Sequence, residues 1–270
     1  MGLRVNTNVA SITAQRNLGQ VTSRLQGNYS RLSSGLRIAS AADDAAGLGV
    51  SERMRSQIRS YGVAARNAQD GISLAQTAEG ALNEVSNILG RMRELAMAST
   101  NGTLSSTDRA TLDTEFQALS EEIDRISTTT NFNDISLLDG SVSQTNIQVG
   151  IDEGQTITIS NQDTSDLGIS SASVTTASSA GSSLATIDAA ISTINTARGN
   201  LGASQNRLQS ALNSILNVRE NLSAAESRIR DVDVASETAD LTRNSILQQA
   251  ATSVLSQANL QPQLALSLLG

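Results

Sequence analysis

The chain has 270 residues and a formal net charge of −7, and its composition excludes many chemistries. It contains no cysteine, histidine, lysine or tryptophan, two tyrosines, two phenylalanines and one proline. Without the first three there is no thiol nucleophile, imidazole base, Schiff-base amine or zinc site of the ordinary type. The negative charge, with so few aromatic rings, argues against nucleic acid as a partner. We therefore expect no enzyme, no metal and no cofactor.

The N-terminal segment predicts a weak helix. Asn28 interrupts a three-to-four spacing of apolar residues, and Gly19 and Gly27 each cost a helix about 1 kcal/mol relative to alanine. The segment lacks the apolar core of about 7–15 residues of a Sec-type signal peptide. No window approaches the roughly 18 apolar residues of a membrane span, so we expect neither feature. The spaced apolar residues are Ala14, Leu18, Val21, Leu25 and Leu32.

Apolar residues keep the same helical spacing over much longer stretches inside the chain. The pattern predicts one helix over about residues 51–99, ended by an Asn-Gly breaker. A second helix follows, capped by Ser106 or Thr107. A third runs over residues 184–229, and its sustained heptads favour coiled-coil packing.

Residues 141–183 differ from the helices on either side, because serine and threonine dominate them. Isoleucine and valine alternate with polar residues on both sides of Asp152-Glu153-Gly154, which predicts a β-hairpin. Residues 170–183 are of low complexity, and we expect them to form a loose surface loop.

The C-terminal segment repeats the weak helical pattern at Leu247, Ala250, Val254 and Ala258, and we expect this stripe to pack. Beyond it the sequence LQPQLALSLLG is an apolar strip with the character of an association surface. Weak helices at both ends and strong ones inside predict a mainly α fold, a long antiparallel coiled-coil rod with a small β-hairpin region. We expect its N- and C-terminal helices to pair, and its large surface to favour self-assembly.

Several long blocks of the sequence resemble bacterial flagellin. They cover about residues 1–140 and 184–270, in the same order as in that family, around a short middle. The chain therefore resembles a minimal flagellin without large outer domains. The blocks are RVNTNVASITAQRNL, RLSSGLRIASAADDAAGLGVSERMRSQIR, ARNAQDGISLAQTAEGALNEVSNILGRMRELAMAS, NFNDISLLDG and ANLQPQLALSLLG.

The resemblance implies a division of the chain between two concentric tubes of a filament. Residues 1–45 and 235–270 would be the terminal helices of the inner tube. Residues 46–140 and 184–234 would be the helices of the outer tube. Residues 141–183 would be the β-hairpin and Ser/Thr-rich surface segment.

The resemblance also implies a function and partners. The chain would be a structural subunit of the extracellular filament that serves swimming, secreted unfolded through a type III flagellar export channel. Its partners would be copies of itself, hook-associated and filament cap proteins, and an export chaperone. One alternative is the hook–filament junction protein, which has related terminal helices. From another class, periodicity alone also allows a coiled-coil signalling or enzymatic module, expected as a stable cytoplasmic oligomer.

Apolar residues near both ends are the candidates for inner-tube assembly. Marginal helices form mainly when they pack against something, so we expect both ends to be largely disordered in a lone subunit. Burying one leucine contributes roughly 1.5–3 kcal/mol, which neighbours in a polymer would supply. The candidates are Leu18, Val21, Leu25, Leu32, Leu247, Val254, Leu260, Leu264, Leu268 and Leu269.

Two acidic motifs have a structural and a chemical interpretation. Asp43-Asp44 lacks a histidine or another activated nucleophile, so a packed connection is favoured over a catalytic dyad. Residues 231–237, DVDVASE, space their carboxylates loosely like a calcium loop but without its glycine. A solvated turn or a helix cap is favoured there.

The segment GRMRELAMAS, residues 90–99, resembles the part of flagellin that the flagellin-sensing Toll-like receptor of animals reads. By that resemblance, Arg91 and Leu95 match the key arginine and leucine, and Glu115 matches their acidic partner. Packing between subunits is expected as the first role of this helix. Positions that depart from the family's usual residues are Gly90, Met97 and Ala98.

Overall fold

A computed structural model describes residues 7–165 and 167–267, with the side chains of residues 261–267 outside the description. The elements are α1 (Val9–Ser34), α2 (Ala45–Ser99), α3 (Ser106–Thr129), β1 (Asn131–Phe132), β2 (Ile135–Ser136), β3 (Gln144–Gln148), β4 (Thr156–Ser160), α4 (Ala177–Arg230) and α5 (Val234–Ser267). Strand β1 pairs with β2, and β3 pairs with β4, both antiparallel. The predicted mainly α fold with a small β region is confirmed. None of the described helices is long and apolar enough to cross a membrane.

The chain forms two compact units. The terminal unit comprises Met1–Ser56 and Asn221–Gly270, and the central unit comprises Gln57–Glu220. The boundaries between the units fall inside α2 and α4, so each of these helices contributes residues to both units.

Helix α1 begins and ends where local chemistry allows. The Asn8 side chain accepts a hydrogen bond from the Ser11 N–H at 3.1 Å, as an N-cap does. Gly35 has a φ of 73°, a left-handed conformation that glycine adopts without strain. Its N–H donates to the Arg31 carbonyl at 2.9 Å. The helix therefore ends at Ser34 for a local reason.

Helices α1 and α5 pack against each other within the terminal unit. Near the start of α1, Asn8 Nδ2 donates to the Ala258 carbonyl at 2.7 Å. Near its end, Arg31 Nε donates to Glu237 Oε1 at 2.9 Å. These contacts join the start of one helix to the end of the other, so the pair is antiparallel. The predicted pairing of the N- and C-terminal helices is confirmed.

The central unit has a core built on α2, α3 and α4. Leu82, Phe116 and Ile194, one from each helix, are completely buried. The predicted helical stripes supply these residues. Where the stripe of α4 meets Arg198, Ala197 takes the buried position and the arginine stays at the rim.

Helix α2 begins at Ala45, about two turns before the predicted residue 51. Asp44 Oδ1 accepts from the Gly47 N–H at 2.9 Å, so the carboxylate caps the new helix. A Cβ at Gly47 would lie 2.4 Å from Asp44 Oδ2, which explains why this position is a glycine. The sequence pattern missed the first turns because they are rich in alanine and glycine rather than in large apolar residues.

Helix α3 is capped by Ser105, not by Ser106 or Thr107 as predicted. The Asp108 N–H donates to Ser105 Oγ at 3.2 Å, and the Ser105 N–H donates to Asp108 Oδ2 at 3.1 Å. This reciprocal capping box satisfies two backbone donors at once, and it is the physical reason for the earlier start.

Two short hairpins lie between α3 and α4 in sequence. The predicted hairpin is confirmed as β3–β4, where Ile147 lies opposite Ile157 and Ile159 is completely buried. The β1–β2 hairpin turns through Asn133 and Asp134, whose φ values are 50° and 62°. A two-residue turn of this kind needs left-handed conformations, which Asn and Asp tolerate better than most residues.

The expectation of a loose loop over residues 170–183 is wrong. Val174 is completely buried, and α4 already begins at Ala177. The Val174 N–H donates to Asp113 Oδ1 at 2.7 Å, and its carbonyl accepts from Ser99 Oγ at 2.5 Å. The partners that satisfy this backbone come from distant parts of the sequence, so a serine-rich composition gave no sign of the packing.

Replacing Val174 with alanine should lower the free energy of unfolding of the central unit by about 2 kcal/mol, because it removes buried methyl groups and leaves a cavity. Thr175→Ala is the matched control, since Thr175 is the exposed neighbour, and it should change stability by less than about 0.5 kcal/mol. Chemical denaturation followed by circular dichroism measures both. If both substitutions change stability equally and by a small amount, residues 170–183 form a loose loop after all.

Candidate functional site

The side chains of the Asp43-Asp44 motif accept hydrogen bonds from backbone N–H groups. Asp43 Oδ2 accepts from the N–H groups of Ser40 and Ala39, at 2.9 and 3.2 Å. The hydrogen bond from the Ser40 N–H lowers the pKa of Asp43 below its ordinary value. Asp44 caps α2. Both carboxylates therefore serve the connection between α1 and α2, as the sequence favoured.

The DVDVASE motif also serves as a cap. Asp233 Oδ1 accepts from the Ala235 N–H at 3.0 Å, at the start of α5. Asp231 accepts from a serine hydroxyl at 2.7 Å, and Glu237 binds Arg31. In the part of the chain that the structure describes, no cluster of three or more acidic, histidine or cysteine side chains could hold a metal ion.

A buried polar cluster joins α1 to α5. Asn28 is only 2% exposed, and its Nδ2 donates to Glu237 Oε1 at 2.5 Å. Its Oδ1 accepts from Asn244 Nδ2 at 2.9 Å, and Arg31 Nε donates to the same Glu237 oxygen. Because these groups are satisfied only in one alignment, the cluster selects the register of the pair. Asn28, which interrupts the apolar pattern of α1, therefore has a structural role.

The assembly candidates on α1 are used within the subunit. Leu25 is 5% exposed, and Leu18, Val21 and Leu32 are half-buried. Helical spacing puts them on the same face as the buried Ala14, and α1 packs against α5. These four side chains therefore stabilise the helix pair.

The assembly candidates on α5 remain exposed. Leu247, Val254 and Leu260 are 43%, 59% and 48% exposed. The expectation that Leu247, Ala250, Val254 and Ala258 form the packed stripe of this helix is wrong except at Ala258, which is 7% exposed. Apart from Ala258, the apolar stripe that is visible in the sequence stays exposed.

Helix α5 is apolar on two sides. The side towards α1 carries Leu241, Ala251 and Leu255, all half-buried, together with Ala258. At 100° per residue the exposed apolar positions lie roughly 120° around the helix from these. A helix that is apolar on a second side needs a second partner. We call the exposed positions the outer face of α5: Ile246, Leu247, Ala250, Val254 and Leu260.

Exposed large apolar side chains are concentrated on this helix pair. Of the eleven within the described side chains, eight lie on α1 or α5. A concentration of exposed apolar side chains on one helix pair is typical of a site of association. The candidates Leu264, Leu268 and Leu269 lie outside the described side chains. The eight residues are Val9, Ile12, Tyr29, Val234, Ile246, Leu247, Val254 and Leu260.

Arg91 and Glu115 form an exposed ion pair between α2 and α3. Arg91 Nη2 lies 2.8 Å from Glu115 Oε1, and Arg91 Nη1 lies 2.9 Å from Glu94 Oε2. The hydrogen bond to Glu115 raises the pKa of Arg91 above its ordinary value. Both side chains stay about half exposed, at 51% and 45%. A partner could therefore contact the pair.

Leu95 does not share that surface. It is 3% exposed and belongs to the core of the central unit. The structure thus brings Arg91 and Glu115 together and places Leu95 beneath the surface. The sequence carried this signal, because Leu95 follows Met92 by three residues on the core-facing stripe of α2.

Comparison with known proteins identifies both ends of the chain. The bacterial flagellin N-terminal helical region matches residues 5–143, and the bacterial flagellin C-terminal helical region matches residues 184–269. A flagellin of Halalkalibacterium halodurans is 48% identical over 269 residues, covering 98% of this chain and 99% of that protein. The flagellar filament 30.7 kDa core protein of Treponema maltophilum is 41% identical over 282 residues, with 98% and 99% covered.

The crystal structure of Bacillus cereus flagellin is similar in fold, with a TM-score of 0.52 and 37% identity. The match covers 60% of this chain and 94% of that one. The two matched sequence regions contain α1, α2, α3 and α5 and all of α4 from residue 184 onwards, and the relatives are matched over nearly their full length. This chain therefore belongs to the bacterial flagellin family, and it is a structural subunit of the extracellular flagellar filament, not an enzyme.

Proposed function

We propose that this filament subunit polymerises through the outer face of α5, together with the exposed apolar residues of α1. One observation carries the proposal: Ile246 and Val254 are 61% and 59% exposed on a helix whose other side already packs against α1. Those side chains can gain free energy from burial only by contact with another molecule, because α1 covers only the other side of α5.

The energetics favour a polymer over a simple dimer. Fully burying one large apolar side chain contributes roughly 1.5–3 kcal/mol, and association costs on the order of 4–15 kcal/mol in lost freedom. One pairwise contact uses only some of the eight exposed side chains and leaves little surplus. Several neighbours around a common axis can bury all of them, so the surplus grows with the number of contacts.

The proposal assigns the segments of the chain to layers of the filament. Residues 1–45 and 235–270 form the inner tube, and residues 46–140 and 184–234 form the outer tube. Residues 141–183 form the surface segment. Family resemblance extends the inner-tube contacts to the further candidates Leu264, Leu268 and Leu269.

Export in an unfolded state through a type III channel completes the proposal. The chain has no cysteine, so no disulfide has to be reduced before it unfolds. The apolar residues of α1 and α5 would aggregate if left uncovered in the cell. An export chaperone that covers them before secretion, and hook-associated and cap proteins that meet them at the filament ends, are the proposed partners.

Val254→Glu should block polymerisation, because it places a carboxylate on an apolar contact. We expect the concentration needed for seeded growth to rise at least about tenfold, which corresponds to 1.4 kcal/mol per subunit. Gln249→Glu is the matched control, since it adds the same charge at an exposed position on a different side of α5. Sedimentation of seeded samples measures both. Growth of the Val254 variant at the control's concentration would contradict the proposed surface.

The same experiment separates the filament subunit from the alternative, a hook–filament junction protein. The wild-type chain should grow long filaments from seeds, visible by negative-stain electron microscopy. A junction protein joins two structures without extending either, so short or absent polymer would favour the alternative.

We also propose that the flagellin-sensing Toll-like receptor of animals contacts this chain at Arg91 and Glu115. The exposure of the pair supports this, since a bidentate guanidinium and a carboxylate can exchange partners with a receptor surface. Leu95 contributes from beneath, because its packing holds the helix that carries Arg91.

Arg91→Ala in the monomer should reduce receptor activation at least about tenfold, as expected for loss of one charged contact. Arg93→Ala is the control, because Arg93 is a similarly exposed arginine that instead pairs with Asp188 on α4. Leu95→Ala should lower the free energy of unfolding by about 2–5 kcal/mol. Its effect on signalling is therefore interpreted together with a measurement of its stability. A dose–response assay in receptor-expressing cells that gives equal curves for wild type and Arg91→Ala would refute the contact.

A further inference from the structure

Every cationic side chain in this chain is an arginine. The 19 basic residues contain no lysine, and there is no histidine or cysteine. Carboxyl groups ordinarily titrate near pH 4, and guanidinium groups stay charged to above pH 12. Apart from these types, the sequence has only one kind of side chain that ordinarily titrates between about pH 6 and pH 12, the phenol of tyrosine, and it occurs twice.

The consequence for net charge is large. Raising the pH from 7 to 11 moves the charge of this chain from −7 to only about −10, through two phenols and one α-amino group. With lysine at the same 19 positions, the charge would approach that of the 26 carboxylates alone. Self-repulsion that grows with net charge destabilises a compact state, and the arginine chain avoids it.

Among the described side chains, the terminal unit has two arginine ion pairs that join different helices. Arg31 Nε lies 2.9 Å from Glu237 Oε1, and Arg230 Nη1 lies 2.7 Å from Glu52 Oε1. The side chains of Glu237 and Arg230 are each only 12% exposed, so these pairs are better shielded than surface pairs. The charged groups that lie near them are arginines and aspartates, residue types that ordinarily keep their charge between about pH 6 and pH 11. They are Arg24, Asp43, Arg55, Asp240 and Arg243.

The central unit has two more such pairs. Arg91 joins α2 to α3 through Glu115, with Glu94 as its other partner, and Arg93 joins α2 to α4 through Asp188 at 2.7 Å. Each partner is a carboxylate, which stays ionised in alkali. Both arginines therefore keep their ion pairs from above the titration range of carboxyl groups up to about pH 12.

We propose that the folded subunit and the filament of this chain keep these ion pairs up to about pH 11, and so suit a filament exposed to an alkaline medium. The outer face of α5 fits, because residues 244–260 contain no charged or tyrosine side chain. Alkali therefore changes neither the pairs that join the helices nor the outer face of α5.

The test compares wild type with a variant that carries Arg31→Lys, Arg91→Lys, Arg93→Lys and Arg230→Lys. Thermal unfolding of each is followed at pH 7 and pH 11. The wild-type midpoint should move by less than about 3 °C, whereas the variant should lose about 5 °C or more, since four pairs of modest strength fail together. Potentiometric titration should show about three more protons released by the variant over this range.

The outcomes are distinct. A wild-type midpoint that falls as far as the variant's overturns the proposal, and so does a variant that loses nothing in alkali. If the fourfold variant does not fold at pH 7, Arg91→Lys with Arg93→Lys tests the central unit alone by the same comparison. Tyr29→Phe with Tyr61→Phe controls for the phenols, and should leave the wild-type result unchanged.

Filaments are tested separately, so that failure of the assembly surface is distinguishable from failure of the ion pairs. Preformed wild-type filaments transferred to pH 11 should stay in the sedimented fraction, and filaments of the fourfold variant should release subunits. Wild-type filaments that dissolve while the wild-type subunit keeps its midpoint would overturn the filament part of the proposal.

Discussion

Helix α5 is apolar on two sides, and within one subunit only the side towards α1 is covered. The central unit has no comparable problem, because α2, α3 and α4 bury their stripes against one another. On the other side of α5, Ile246 and Val254 are more than half exposed. In the function that we propose, this uncovered side is where neighbouring subunits pack.

The polar cluster around Asn28 explains why the outer face of α5 does not pack against α1. A rotation of α5 by about 120° would turn Leu247 and Val254 towards α1 and gain apolar burial. That rotation would also break the hydrogen bonds of Asn28 with Glu237 and Asn244, leaving buried polar groups without partners. A buried polar residue that gives up stability to specify one alignment is well attested in coiled coils. The register is thereby fixed, and the outer face of α5 stays uncovered within the subunit.

The spacing of apolar residues predicted the repeating patterns of helices and strands. It did not predict local helix caps or contacts between residues that are far apart in the sequence. The stripes of α2 and α4, the hairpin and the pairing of the ends follow from spacing that is visible in the sequence. Val174 was missed because its partners, Ser99 and Asp113, lie over sixty residues away. The apolar stripe at Leu247 was visible in the sequence. Spacing alone does not show whether such a stripe packs within its own chain or against another molecule. Leu95 belongs to the core by the same spacing rule, which family resemblance overrode.

Hydrogen–deuterium exchange on free subunits and on assembled filaments tests the central claim most directly. Amides of α1 and α5 should exchange quickly in the free subunit, because the pair is covered on one side only, and should gain at least about 100-fold protection in filaments. Amides of the central core around Leu82 and Phe116 should be protected in both states. If the amides of α1 and α5 are as protected in the free subunit as in the filament, contacts with neighbouring subunits are not what stabilises these helices, and the account is contradicted.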